Sequence, residues 1–497
     1  MRDSGAVEAL LQDAIQVYDD EPALRAQLED YAQRLREPLR VAVAGMVKAG
    51  KSTLLNAIIG EEIAPTDTGE CTRIITWYRH AATPRITLYP LEGEERLLPL
   101  TRVDGRLVFD LGGLRAEDVA RLVVEWPAEN LRTMTLIDTP GIASLSADVS
   151  ARSTRFLTPE DSPSEADAVI YLMRHLHSSD LKFLEAFRDT SAAHAGTVNA
   201  LAVLSRADEV GAGRIDSLIS ASRIADRYRT DPSLKSLVLD VLPIAGLVAQ
   251  SSRTLRQAEY EAFVALAALG NTERERLLLS ADRFVAGSSA VGIPMDEAAR
   301  LLDRFGMFGL RLGAALVRGG IRDSTVLAHE LARRSGLDNL MSLVTRQFDA
   351  RASTLRVRTA LTGLEALVHS NPRDSGGAVL AGIEKIKANA HEISELRLLS
   401  ALRSGQVPLP VPAVGEAERL VGGSGTGAPE RLGLEPAAGP EDIRAASLGK
   451  LHRWRVLSEN PLTDRGALEA CQVVVRTCEE LVVRAGSGTQ DRELARG

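Results

Sequence analysis

The stretch LRVAVAGMVKAGKST, residues 39–53, decides how this chain folds. It follows Pro38, and its first seven positions are small or apolar apart from one arginine, which reads as a buried strand. The strand runs into Gly45-Met-Val-Lys-Ala-Gly50-Lys51-Ser52, a full match to G-x-x-x-x-G-K-[ST], and then into a segment with helical character. Each fixed position has a physical reason. Gly45 and Gly50 let backbone amides, those of Ala49 and Thr53 among them, curl round phosphate oxygens, and Lys51 sets an ammonium against the β- and γ-phosphates. Ser52 offers a hydroxyl to Mg2+ at a helix N-terminus, where the macrodipole favours anions.

Outward from this loop, buried-strand patterns recur at residues 72–78, 121–126, 134–139, 168–173, 199–205 and 237–245, with helical stretches between the later ones. That alternation predicts a mostly parallel, doubly wound α/β sheet. Turn signals at 91–96 and 104–106 predict a locally antiparallel extension between residues 81 and 130. The flanks read as helical. Leu24, Leu28, Tyr31 and Leu35 make one stripe before the strand, after a break at Pro22. Ile383, Ile386, Ala390 and Ile393 make a second at heptad spacing, and Leu468, Cys471, Val475, Cys478 and Val482 a third. Residues 405–442 are rich in Gly, Pro, Ala and Glu and predict a flexible linker. The expected organisation is N-terminal helices (1–37), a nucleotide domain (38–250), its helical extension (251–350), stalk helices (351–404), the linker (405–442) and C-terminal stalk helices (443–497). Both ends of the chain would build one all-helical bundle.

Composition narrows the function. A length of 497 residues calls for more than one domain, and a net charge of −8 argues against a partner nucleic acid held by overall positive charge. Three cysteines are too few for a disulfide framework, which suits a reducing cytoplasm. The first residues show no basic region followed by an apolar one, so no signal peptide is expected. No apolar run reaches the roughly 18 residues that span a bilayer, so membrane contact is expected to be peripheral.

Three further motifs choose the nucleotide. In LIDTPG, residues 136–141, Asp138 ends a buried strand where it can hold Mg2+ through water, and Gly141 can offer its amide to the γ-phosphate. Thr72, in ECTRIIT, lies at the distance past Ser52 where GTPases place a threonine whose hydroxyl completes the magnesium shell, or it is a loop threonine that opens a strand. Ser205-Arg206-Ala207-Asp208 departs from the usual N/T-K-x-D. Asp208 can still accept from both the ring N–H and the amine of guanine, a pair adenine lacks, or it can simply cap a helix. Arg206 can stack over the base in place of lysine, and Ser205 keeps a hydroxyl. Residues 244–246 fall where a further base-contacting loop belongs. GTP or GDP with Mg2+ is the expected ligand set.

In this order and spacing the motifs resemble the dynamin superfamily, in particular bacterial dynamin-like proteins of the actinobacterial branch. The resemblance is specific over residues 38–246, carried by the runs VAGMVKAGKSTLLNAIIGEEIAPTDTGECTRIITWYRH, LRTMTLIDTPGI and AVLSRADEVG. It implies a GTPase head on a helical stalk, a homodimer through the heads, a sister dynamin-like partner, peripheral contact with membrane lipid and membrane remodelling. Two positions depart from known patterns. Ile142 stands where Ras-type GTPases keep a water-orienting Gln. Lys48 stands where dynamins place a serine that helps hold a monovalent cation. Its ammonium either takes over the role of that cation or points to solvent. A regulatory GTPase of RNA or ribosome assembly and a scaffold with slow GTPase activity are the competing readings. Residues 305–321, FGMFGLRLGAALVRGGI, suit either an interfacial helix or, as expected here, a core helix.

Overall fold

A computed structural model describes residues 2–65, 73–103, 106–141, 156–158, 164–190, 199–461 and 463–494. Eleven strands are present among them: β1 (Leu39–Gly45), β2 (Thr76–His80), β3 (Arg85–Pro90), β4 (Arg96–Leu98), β5 (Thr101–Val103), β6 (Arg106–Val108), β7 (Val119–Trp126), β8 (Met134–Asp138), β9 (Ala168–Met173), β10 (Ala200–Leu204) and β11 (Val241–Pro243). Nine form one sheet in the order β11-β10-β9-β1-β8-β2-β7-β3-β4, and β5 pairs with β6 alone. From β11 to β8 every pairing is parallel. The extension is antiparallel at β7–β3 and β3–β4, as the turn signals between 81 and 130 predict, while β2 pairs antiparallel with β8 and parallel with β7.

Strand β1 lies between β9 and β8 inside the parallel part and is buried along its whole length, which explains its unbroken apolar pattern. In register, Val43 faces Asp138 of β8 and Gly45 faces Leu172 of β9. The carboxyl ends of β1, β8, β9 and β10 therefore meet at one edge. Ligands bind at that edge in open α/β sheets.

Helices from both ends of the chain form the bundle. Arg2–Val17 and Pro22–Arg34 pack on Ala352–Ser370 and Gly376–Asn389 around Val7, Leu11, Tyr18, Leu28, Leu361, Leu364 and Ile383. The Tyr18 hydroxyl donates to the Asn371 carbonyl at 2.7 Å. Arg34 joins this bundle to the sheet, since its Nη2 reaches Asp167 Oδ1 at 3.2 Å, and Asp167 Oδ2 accepts the amide of Arg40 in β1. Pro440–Ser458 and Arg465–Leu494 form an antiparallel hairpin around Trp454, Cys471, Val474 and Cys478.

Four sequence expectations change. Residues 405–442 are not a flexible linker: they hold the helices Val411–Leu420 and Ala428–Leu432, with Ala413, Ala417, Leu420, Val421 and Leu432 buried. Pro412 and Pro429 sit in the first turns of those helices, where a missing N–H costs nothing, and Gly433 ends the second with a left-handed cap. Arg351 grips the turn between them by donating to the carbonyls of Val421 and Gly422, and Arg431 pairs with Glu395. The expected strand at 237–245 shrinks to β11, because the amides of Leu237 and Val238 turn back to the Leu234 carbonyl. The strand expected from residue 72 starts at Thr76. The heptad stripe 383–393 crosses a break at Ala390 (φ −75°, ψ 98°) between two helices.

The choice at residues 305–321 falls to the core. Within the helix Met295–Arg318, Phe305 is 0% and Phe308 2% exposed, and the Phe305 ring meets Phe263 edge-to-face at 5.1 Å. Among the described residues no helix is long and apolar enough to cross a membrane.

Candidate nucleotide-binding site

Glycine loop and strand edge fit together at one tight point. Gly45 has φ 145°, and a β-carbon there would lie 2.3 Å from the Leu172 carbonyl oxygen of β9. Only glycine lets the loop leave β1 so close to its neighbour. Gly50 is left-handed at φ 93° and opens the helix Lys51–Ile59, with Ala49 buried beneath it. Lys51 turns back over the loop, its Nζ donating to the carbonyls of Gly45 and Met46 at 3.2 Å each. Burial lowers the pKa of this ammonium, and nearby Asp138 works in the opposite direction.

Ser52 follows Lys51 in the first turn and donates from Oγ to Asp138 Oδ2 at 3.2 Å. Burial pushes the Asp138 carboxyl up to about 6, against the lowering effect of Lys51 and Ser52. Two hard oxygen donors side by side at the end of β8, close to the lysine, have the chemistry Mg2+ selects. Thr139 is anchored by donating its hydroxyl to the Val43 carbonyl at 3.0 Å, which ties the DTPG turn to β1. Gly141 ends this turn and lies against Val47 of the loop.

The other end of the cleft is built by the turn after β10. Ser205 donates both its amide (2.8 Å) and its hydroxyl (3.2 Å) to the Met173 carbonyl of β9. Arg206 is left-handed at φ 52°, and its Nη1 donates to Glu209 Oε1 at 2.7 Å. Arg174 reaches the other oxygen of Glu209 at 2.8 Å. Ala207 donates to the Ile244 carbonyl, which sets the turn beside residues 244–246. Asp208 is buried, and that burial pushes its carboxyl up to about 6.

Between the two ends runs a cleft lined by Ala49, Gly50, Thr53, Leu172, Ser205, Arg206, Asp208, Gly246 and Leu247. The structure thus brings together Gly45, Ala49, Gly50, Lys51, Ser52, Thr53, Asp138 and Gly141 at the phosphate end, and Ser205, Arg206 and Asp208 at the other. Thr72 and Ile142 lie outside the described residues. Lys48 is exposed and left-handed at φ 61°, and among the described residues no hydrogen bond or ion pair holds its ammonium. Leu172 and Leu247, which form apolar walls, carry no signal in the sequence beyond their place next to strands and turns.

Residues 41–190 match the dynamin family. The chain is 42% identical over 488 residues to the isoniazid-induced protein IniC of Mycobacterium tuberculosis, covering 97% of this chain and 99% of that one. It is 30% identical over 114 residues to a bacterial dynamin-like protein of Nostoc punctiforme, covering 21% of this chain and 16% of that one. With the tRNA modification GTPase MnmE of Methylibium petroleiphilum it shares 32% identity over 218 residues, covering 44% of this chain and 36% of that one.

Proposed function

We propose, given that this chain belongs to the dynamin family and is a GTPase, that it couples GTP hydrolysis to dimerisation through its nucleotide domains and to remodelling or tethering of a membrane it touches peripherally. The observation that supports coupling is the joint between bundle and sheet. Arg34 of the N-terminal bundle and the amide of Arg40 share the two oxygens of Asp167, and Arg40 lies in the first half of the strand that ends in the phosphate loop. A shift at the loop is therefore two short steps from the bundle.

The residues divide the work by chemistry. Amides of residues 49–53 and the Gly141 amide receive the phosphate oxygens, and the Lys51 ammonium exchanges its two carbonyl partners for the β- and γ-phosphates. Ser52 and Asp138 would hold Mg2+ together with Thr72, and the bound ion supplies positive charge to the phosphate oxygens. Asp208 reads guanine by accepting its two N–H groups, while the stem and guanidinium of Arg206, steadied by Glu209, cover the base. With isoleucine at 142 in place of a water-orienting Gln, help with hydrolysis has to come from another group. Lys48, whose ammonium has no competing partner among the described residues, swings over the bridging oxygen and offsets charge that develops there.

Turnover per molecule, measured against protein concentration with and without liposomes, tests the coupling. Specific activity that climbs with concentration and with lipid is the expected result. A flat rate, blind to both, would leave a GTPase that works as a solitary switch.

A further inference from the structure

The turn that follows Asp208 is closed by its Ala212 amide, which donates to the Glu209 carbonyl, and is held a second time from outside. Gly211, Ala212 and Gly213 are consecutive left-handed residues, at φ 70°, 60° and 69°. Glycine adopts that conformation freely, but at Ala212 the β-carbon crowds the following carbonyl. Such backbone persists where surrounding groups over-determine it.

Here the surrounding group belongs to a distant helix. Arg311, in Met295–Arg318, donates from Nη1 to the carbonyls of Ala212 (3.2 Å) and Gly213 (2.5 Å). Its Nε and Nη2 donate to the Leu278 carbonyl at 3.1 and 2.7 Å. The planar fork is thus fixed on one side and grips the strained turn with the other. The same helix touches the turn again at Gly213, where a β-carbon would lie 3.4 Å from the Phe308 amide nitrogen.

A third contact reaches the carboxylate itself. The helix is interrupted at Gly306, whose φ of 62° and ψ of 175° suit glycine alone. A β-carbon there would lie 3.8 Å from Asp208 Oδ2 and 3.6 Å from Leu247, a wall of the nucleotide cleft. The helix breaks at the point where it passes Asp208.

We propose that Arg311 and Gly306 are positioning residues for purine recognition: Arg311 helps fix the turn behind Asp208, and Gly306 lets the helix bend where it passes that carboxylate. The proposal rests on Asp208 as the reader of guanine. Its signature is discrimination between GTP and ITP. Inosine keeps the ring N–H and lacks the amine, so the preference for GTP measures how well the carboxylate is aimed at both groups.

The experiment compares wild type, Arg311→Met, Gly306→Ala and Asp208→Asn by steady-state kinetics with GTP and ITP, and by competition with pyrophosphate, which senses the phosphate loop alone. For Arg311→Met and for Gly306→Ala we expect KM for GTP to rise about tenfold, kcat to stay within about twofold, and the preference for GTP over ITP to shrink. Pyrophosphate affinity should not change. Wild-type KM and preference in both variants would overturn the proposal, as would loss of pyrophosphate binding in parallel with GTP, because that assigns the two residues to general folding. Arg311→Lys, which keeps the cation and loses the fork, carries the same comparison if Arg311→Met fails to fold. Asp208→Asn separates the two levels. If it keeps its preference for GTP over ITP, Asp208 does not read the base; if it loses that preference while the other variants keep theirs, only the positioning role fails.

Discussion

Gly141 and Val47 pack so closely that a β-carbon at Gly141 would lie 2.6 Å from Val47 Cγ2 and 2.9 Å from Val47 Cα. The DTPG turn and the phosphate loop are therefore in direct backbone contact, and the smallest residue is what permits it. A side chain at 141 cannot be absorbed by a rotamer change, because one of the atoms it meets is backbone. Gly141→Ala should push the two loops apart and raise the dissociation constant for GTP about tenfold or more. Equilibrium titration with nucleotide checks this.

Lys48 carries its charge on an exposed, left-handed residue inside the loop. Lys48→Ala should slow turnover by well over about tenfold and leave GTP affinity nearly unchanged, since charge at the bridging oxygen develops in the transition state. Single-turnover kinetics alongside equilibrium binding separates the two quantities. Equal turnover would dispose of the role.

The pH dependence has a defined sign. Burial raises the carboxyls of Asp138 and Asp208 to about 6 each, and the charged forms are the ones that bind metal and guanine. GTP affinity should be flat above about pH 7 and fall by about fivefold per carboxyl between pH 6 and 5. Stability runs the other way. A carboxyl whose folded pKa is raised stabilises the fold below its unfolded pKa, and that contribution is lost as pH rises through about 6. Melting temperature and binding, followed over about pH 4.5–8 in the same buffer series, should therefore move in opposite directions.

Arg304 is buried between two acids, with Nη1 at 2.5 Å from Glu62 and Nε at 2.5 Å from Glu259. Arg304→Met removes their shared cation and should cost about 3–5 kcal/mol in denaturant unfolding. Neutralising both acids in the same background, with Glu62→Gln and Glu259→Gln, should return part of that loss.

Leu420 distinguishes a packed segment from a tether. It is fully buried, so Leu420→Ala should destabilise the protein by about 2–5 kcal/mol, whereas the same change in a solvated linker would stay within about 0.5 kcal/mol. Limited proteolysis should likewise spare residues 405–442.

What is legible in the sequence follows from the range of the forces involved. Strand β1 and its loop can be read because burial on both faces writes an unbroken apolar run, and phosphate chemistry permits few residues beside it. Asp138 and Asp208 can be read because each ends or follows such a run. Residues 405–442 mislead because composition reports the prolines and glycines that punctuate short helices, while the burial of Leu420 and Leu432 depends on partners far along the chain. The grip of Arg311 on Ala212, separated by 99 positions, leaves no trace in any local window. The same holds for the break at Ala390, which a heptad count runs straight through.

Tyr18 bonds to a carbonyl 353 residues further on. During synthesis the first two helices leave the ribosome long before Ala352–Ser370 and Gly376–Asn389 exist to cover them. At about 5–20 residues per second, their apolar stripe of Val7, Leu11, Tyr18 and Leu28 waits on the order of tens of seconds. Newborn chains must pass through an interval in which the sheet can close but the bundle cannot, and that interval is when a chaperone would find them.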